Sequence, residues 1–164
     1  MSKDNLEIER KFLLKDVPNI PEDEVKVLII HQVYIKEDGV VKRYRMTADG
    51  GNRIYHECIK TQLGPGKFIE DEREVSDELF RDKLDQDHRY IKKTRHVYNS
   101  NGLRWEIDKY QEISLVVMEV EFESEDDFNN FNDSKIPEII KGSVIIELTG
   151  KKEFSNYNLS IEQK

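Results

Sequence analysis

Charged residues two apart recur in one strand-like segment of this chain after another, and each segment tends to carry a single sign. The first segment is LEIERKFLL (6–14), where Glu7, Glu9 and Lys11 alternate with Leu6, Ile8 and Phe12. Successive side chains of a β-strand point to opposite faces, so a period of two collects these charges on one face. Arg43 and Arg45 share a parity in KRYRM, as do Lys93 and Arg95 in KKTRH and Glu72 and Glu74 in DEREV. So do Glu106 and Asp108 in WEID, and Glu119, Glu121 and Glu123 in MEVEFE, while Lys60 adds a single cation in CIKT. The opposite parity is apolar, with Ile8, Tyr44, Val75, Trp105, Ile107, Met118, Val120 and Phe122.

For any one strand, a charged face is ordinarily the solvated face of a sheet whose apolar face looks inward. Taken together, the strands argue otherwise. Like charges side by side on a sheet destabilise it, and a solvated face normally mixes signs along each strand. Rolling the sheet into a barrel with the charges inside sets basic rows opposite acidic rows, so a wet lumen balances its own charge. A lumen of that kind suits a polyanion accompanied by divalent cations, arginine forks gripping phosphate oxygens and carboxylates holding metal.

Elements follow from the turn signals. Strand-like runs cover 25–35, 40–46, 53–62, 67–75, 88–98, 103–110, 114–123 and 143–150, separated by KEDG, ADGGN, LGPG and NSNG. Ser76 and Ser124 are placed as N-caps of DELFRDKLDQ and EDDFNNF, PEIIKG (137–142) reads as a helical turn, and NLSIEQK at the C-terminus reads as helical or frayed. The pattern is mainly β with a few helices (α+β), antiparallel, in a closed or strongly curved sheet. With 164 residues and no linker, it predicts a single domain spanning 1–164.

A formal net charge of −8 argues against a broad basic surface for nucleic acid. One cysteine, Cys58, excludes an internal disulfide and fits a reducing compartment. No apolar run approaches a membrane span and MSKDN is no signal peptide, so a cytoplasmic protein without membrane contact is expected. A homodimer through sheet edges is left open. The histidines lack ligand spacing for zinc, and GPGK (64–67) lacks the spacing of a P-loop.

The charged rows, in this order, resemble the CYTH superfamily, the triphosphate tunnel metalloenzymes. The amino-terminal E-x-E-x-K (Glu7, Glu9, Lys11) is followed by the Arg43/Arg45 strand, Lys60, Glu72/Glu74, Lys93/Arg95, Glu106/Asp108, Glu119/Glu121 and a late ELTG close. The resemblance implies a closed eight-stranded antiparallel β-barrel with a few helices packed outside. Within it, basic residues bind a linear triphosphate and acidic residues bind Mg²⁺ or Mn²⁺. The chain looks most like the small bacterial members with tripolyphosphatase activity. It departs from their pattern at Val33, where glycine is usual, and at Lys151, where an acidic residue is common.

On this reading the partner is a small-molecule triphosphate, and the reaction is hydrolysis of a phosphoanhydride, in which positioning and charge carry the catalysis. Arg43, Arg45, Lys60, Lys93 and Arg95 are the expected substrate clamp. Glu7, Glu9, Glu119 and Glu121 are the expected metal ligands, with Glu106 and Asp108 available to a second cation. Lys11, Lys93, Glu72 and Glu74 are the remaining catalytic candidates. Two rivals stay open: an adenylate cyclase on the same fold, and a module that binds polyphosphate or nucleotide without turnover.

Overall fold

The computed structural model describes residues 5–163, so the expected domain limits at 1 and 164 lie outside the described residues. Eight long strands form: β1 (Leu6–Leu14), β2 (Val25–Glu37), β3 (Val40–Asp49), β4 (Asn52–Gly64), β5 (Lys67–Val75), β6 (Arg89–Ser100), β7 (Leu103–Tyr110) and β8 (Val116–Phe122). They close antiparallel in the order β6-β2-β3-β4-β5-β1-β8-β7, with β7 pairing back to β6. Closure removes the free edges that an open sheet of this size would present.

Local chemistry makes the hairpins. Asp38–Gly39 and Asn101–Gly102 both take positive φ (52° and 79°, 56° and 72°), the two-residue turn whose twist matches its flanking strands. The helix α1 (Asp77–Leu84) starts where Ser76 Oγ accepts from Leu79 N at 3.1 Å, and α2 (Glu125–Asn130) where Ser124 Oγ accepts from Asp127 N at 3.1 Å. A further turn of helix, α3 (Glu138–Lys141), follows Pro137.

The hydrophobic cores lie outside the barrel. Ile8, Phe12, Trp105, Ile107, Met118, Val120 and Phe122 on the outer faces of β1, β7 and β8 pack with Phe131, Ile136 and Ile140 around α2 and α3. Val33, Ile35 and Tyr44 pack under Phe80 of α1. Burying these faces with helices leaves the charged parity pointing inward, because side chains alternate across each strand.

Three features differ from the sequence expectation. The run 143–150 is a strand only over Val144–Glu147 (β9), which pairs with the second half of β1 before Leu148 N donates to Lys11 O at 2.7 Å. The C-terminal segment is neither one helix nor frayed: α4 (Asn156–Leu159) is followed by β10 (Ile161–Glu162) on the edge of β6. Lastly, the lumen is not charged throughout. Tyr34, Ile91, Tyr110 and Val117 share the inward parity at one end, where they pack with Leu148, Phe154, Tyr157 and Leu159. The last segment of the chain therefore seats on apolar side chains at one mouth of the barrel.

Candidate active site

Strand register assembles the lumen. Arg43 lies opposite Cys58, and Cys58 opposite Glu72; Lys60 lies opposite Glu70. Lys11 lies opposite Glu119, which is opposite Glu106, and Arg95 lies opposite Asp108. Glu9 and Glu121 face one another across β1 and β8. Residues more than a hundred positions apart thus share a wall because each strand repeats every two residues and each pairing is in register.

The acidic side of the lumen gathers on β1 and β8. Ligand oxygens of Glu7, Glu9 and Glu119 all lie within 4.8 Å of one another. Glu9 and Glu119 are 5% and 8% exposed, so their charges are poorly solvated. Burial and the adjacent Glu119 raise the Glu9 carboxyl well above the ordinary range. Burial opposes ionisation of Glu119 too, but the hydrogen bond from Glu9 and the charges of Lys11, Lys60 and Lys93 hold it well below. The two carboxylates titrate as a coupled pair, Glu9 shifted up and Glu119 down. Lys60 Nζ is 3.5 Å from Glu7 Oε2 and 3.7 Å from Glu9 Oε1, yet Glu7 Oε2 is buried without a hydrogen-bond donor. Three clustered carboxylates, with one oxygen orphaned, fit a divalent cation such as Mg²⁺ or Mn²⁺. Glu7, Glu9 and Glu119 are the residues that would hold it.

The basic side is built differently. Arg43 pairs with Glu72 at 3.0 Å, leaving its Nε buried without a partner. Arg45 makes no ion pair among the described residues; its Nε donates to neutral Gln32 Oε1 at 2.7 Å. Burial, with Arg43 and Arg95 alongside, pulls the Arg45 guanidinium down to about 10. Lys11 Nζ likewise meets no carboxylate and donates to the Phe154 carbonyl oxygen at 3.1 Å. Two cations of the lumen wall therefore await an anion.

Asp108 belongs to this basic side. It is 1% exposed and accepts from Arg95 Nε and Nη2 at 2.8 and 2.9 Å, with Lys93 Nζ 2.7 Å away but misaligned for a hydrogen bond. Burial resists its charge, but Arg95 and Lys93 hold its carboxyl down to about 2. Burial outweighs Asp108 at Lys93, with Arg95 and Arg45 adding repulsion, and brings that ammonium down to about 8. Glu106 bonds Arg95 Nη1 at 3.2 Å.

Of the expected metal ligands, the structure brings Glu7, Glu9 and Glu119 together. Glu106 and Asp108 are engaged by arginine instead; Glu74 is exposed, and Glu121, also exposed, has its carboxyl raised by burial and by the charges of Glu7, Glu106 and Glu119. Glu72 faces Arg43. Sequence reasoning passed over Glu70, which reaches Lys60 at 3.9 Å and Arg43 at 4.0 Å, although it continues the parity of Glu72 and Glu74. It also missed Gln32, Tyr34 and Tyr157, since nothing local marks a neutral or aromatic residue as facing a charged lumen. A cavity of about 300 Å³ opens among Glu9, Lys11, Arg43, Lys60, Glu119 and Tyr157.

Comparison with solved structures places the barrel among proteins of related shape. Two crystal structures of NE1496, one described as a hypothetical protein and the other as an inorganic triphosphatase, align with TM-scores of 0.60 at 25% and 24% identity. The alignments cover 94% of this chain and 97% and 93% of those chains. HpAC1 from Hippeastrum, named for adenylyl cyclase and showing a dominant triphosphatase activity, aligns at 0.50 with 14% identity over 75% of this chain and 82% of that one. No protein-family model matches the chain, and no curated protein matches it in sequence.

Proposed function

On the premise that the chain has the fold of the CYTH superfamily, the triphosphate tunnel barrel, we propose that it is a metal-dependent hydrolase that cleaves a phosphoanhydride of inorganic triphosphate inside its lumen. One cavity lined by Glu9, Glu119, Lys11, Arg43 and Lys60, with Glu7 clustered on its two carboxylates, supports this reading above any other observation. Mg²⁺ or Mn²⁺ held by the three carboxylates would screen phosphate charge and acidify a bound water.

The chain's own residues supply the rest. Arg43, Arg45, Lys60 and Arg95 grip and orient the phosphoryl oxygens, and their fixed charges meet the charge that spreads over those oxygens during transfer. Arg45 and Lys11 enter the reaction without a carboxylate to give up, so anion binding at these two costs no broken ion pair. Lys93, its ammonium brought down to about 8 by burial against the pull of Asp108, stays mostly protonated at neutral pH and is placed to give up a proton at Nζ. Glu72 and Glu74 face the lumen as candidates to orient the attacking water.

The test is phosphate release from tripolyphosphate, ATP and pyrophosphate with Mg²⁺, Mn²⁺ or EDTA. Wild-type protein should release phosphate from tripolyphosphate only with metal, and Glu9→Gln and Arg45→Ala should each lower kcat/KM by about a hundredfold or more. Metal-independent release, or full activity in either variant, overturns the proposal. One observation favours a second reading: Tyr34, Phe68 and Tyr157 line the same cavity and offer faces on which a base could stack. Cyclic nucleotide formed from ATP in the same assay would establish that reading instead.

A further inference from the structure

The wall of the barrel has a gap beside β1. β5 pairs with β1 only over Leu6–Ile8, and β9 takes over at Phe12–Leu14. Between them this edge of β1 meets no continuous strand: the Gly66 carbonyl accepts from Glu9 N at 2.8 Å, the Thr149 hydroxyl accepts from Lys11 N at 3.0 Å, and Leu148 N donates to Lys11 O at 2.7 Å. A second cavity of about 340 Å³ opens there. It shares Glu9, Lys11, Gln62, Phe68, Ser155 and Tyr157 with the lumen cavity of about 300 Å³, so the two adjoin along these side chains.

The outer rim of this cavity carries Lys151 and Lys152. Both are exposed, and neither makes an ion pair among the described residues. Glu147 is engaged by Arg10 and Thr149 and Glu125 by Lys67, while exposed Glu153 follows Lys152 in the same turn. In a chain of net charge −8, a passage flanked by Lys11, Lys151 and Lys152 is a local reversal of sign leading out of the candidate active site. Its volume matches that of the lumen cavity, which is room for phosphoryl groups beyond those the lumen holds.

Resting on the triphosphate reading above, we propose that this side passage receives the protruding part of a linear polyphosphate longer than triphosphate, with Lys151 and Lys152 binding the phosphoryl groups outside the lumen. The two lysines then determine chain-length preference, while the residues of the lumen act on tri- and longer polyphosphates alike.

The experiment compares tripolyphosphate, tetrapolyphosphate and a medium-chain polyphosphate, by turnover and by calorimetric affinity in EDTA. The proteins are wild type, Lys151→Glu/Lys152→Glu, and a control reversal on other faces, Lys26→Glu/Lys135→Glu. Wild type should bind and cleave the longer chains. The Lys151/Lys152 variant should lose roughly tenfold in KM and Kd for those chains, with tripolyphosphate changed less than twofold and the control unaffected. Equal losses on tripolyphosphate, losses matched by the control, or no loss on longer chains would overturn the inference. If tripolyphosphate is not cleaved at all, the hydrolase reading fails, and the length dependence of Kd still decides this one.

Discussion

Asp108→Asn removes the one carboxylate that compensates two buried cations, and its cost can be worked from the structure. The Asp108 carboxyl is held down to about 2 from 3.8 by Arg95 and Lys93 against the opposing effect of burial. At 1.36 kcal/mol per pH unit that is about 2.5 kcal/mol favouring the ionised folded state. The substitution keeps the shape but leaves Lys93 Nζ, now 2.7 Å from a neutral group, without a counter-charge, and Arg95 with Glu106 alone. Breaking a buried pair on one side costs about 3–5 kcal/mol, and that is the loss expected in urea unfolding at pH 7 with an unchanged m-value. Adding Lys93→Met should recover at least about 1 kcal/mol, since the orphaned amine is gone. In the wild type this contribution is fully present above pH 3.8 and disappears as pH falls through about 2, because the depressed carboxyl must then be protonated. A variant within about 1 kcal/mol of wild type, or no recovery on adding Lys93→Met, would refute the reasoning. Loss of metal affinity without loss of stability would make Asp108 a ligand instead.

Three further outcomes follow from particular side chains. Because burial and Glu119 raise the Glu9 carboxyl, Mg²⁺ or Mn²⁺ binding should release protons, more of them as pH is lowered from about 8 to about 5, read from calorimetry in buffers of different ionisation enthalpy; Glu9→Gln should flatten that pH dependence. Gly66→Ala would place a Cβ 2.2 Å from the Glu9 carbonyl oxygen at a φ of +72°, so thermal unfolding should reveal a loss of roughly 3 kcal/mol or more. His31 is brought down to about 4 by burial, Lys92 and His88, so the unfolded chain binds a proton there that the folded chain refuses between pH 6.5 and 4. Stability should fall over that window as pH is lowered, by about 1 kcal/mol once its partial exposure is allowed for, and His31→Gln should flatten the slope in urea midpoints.

Much of the barrel was legible because its signals are local. The two-residue turns at Asp38–Gly39 and Asn101–Gly102 and the caps Ser76 and Ser124 stand where the chain alone places them. The C-terminal segment was not legible: Phe154, Tyr157 and Leu159 become structured by packing on Tyr34, Tyr110 and Val117, a contact that exists only after the barrel closes.

For the site, period-two patterning determined by itself which charges share a face, since alternation along a strand is a property of the backbone. It assigned Glu7, Glu9, Glu119, Arg43, Arg45, Lys93 and Arg95 to one surface correctly as a set. What only the tertiary structure decided is which charge meets which. Glu106, Asp108 and Glu119 look alike in sequence, yet register sets Asp108 against Arg95 and sets Glu119 opposite Lys11, diagonal to Glu9. One carboxylate is thereby a buried counter-ion, while the other joins a cluster of three carboxylates. The difference is a matter of neighbours across the lumen, and a strand carries no information about those until the sheet has closed.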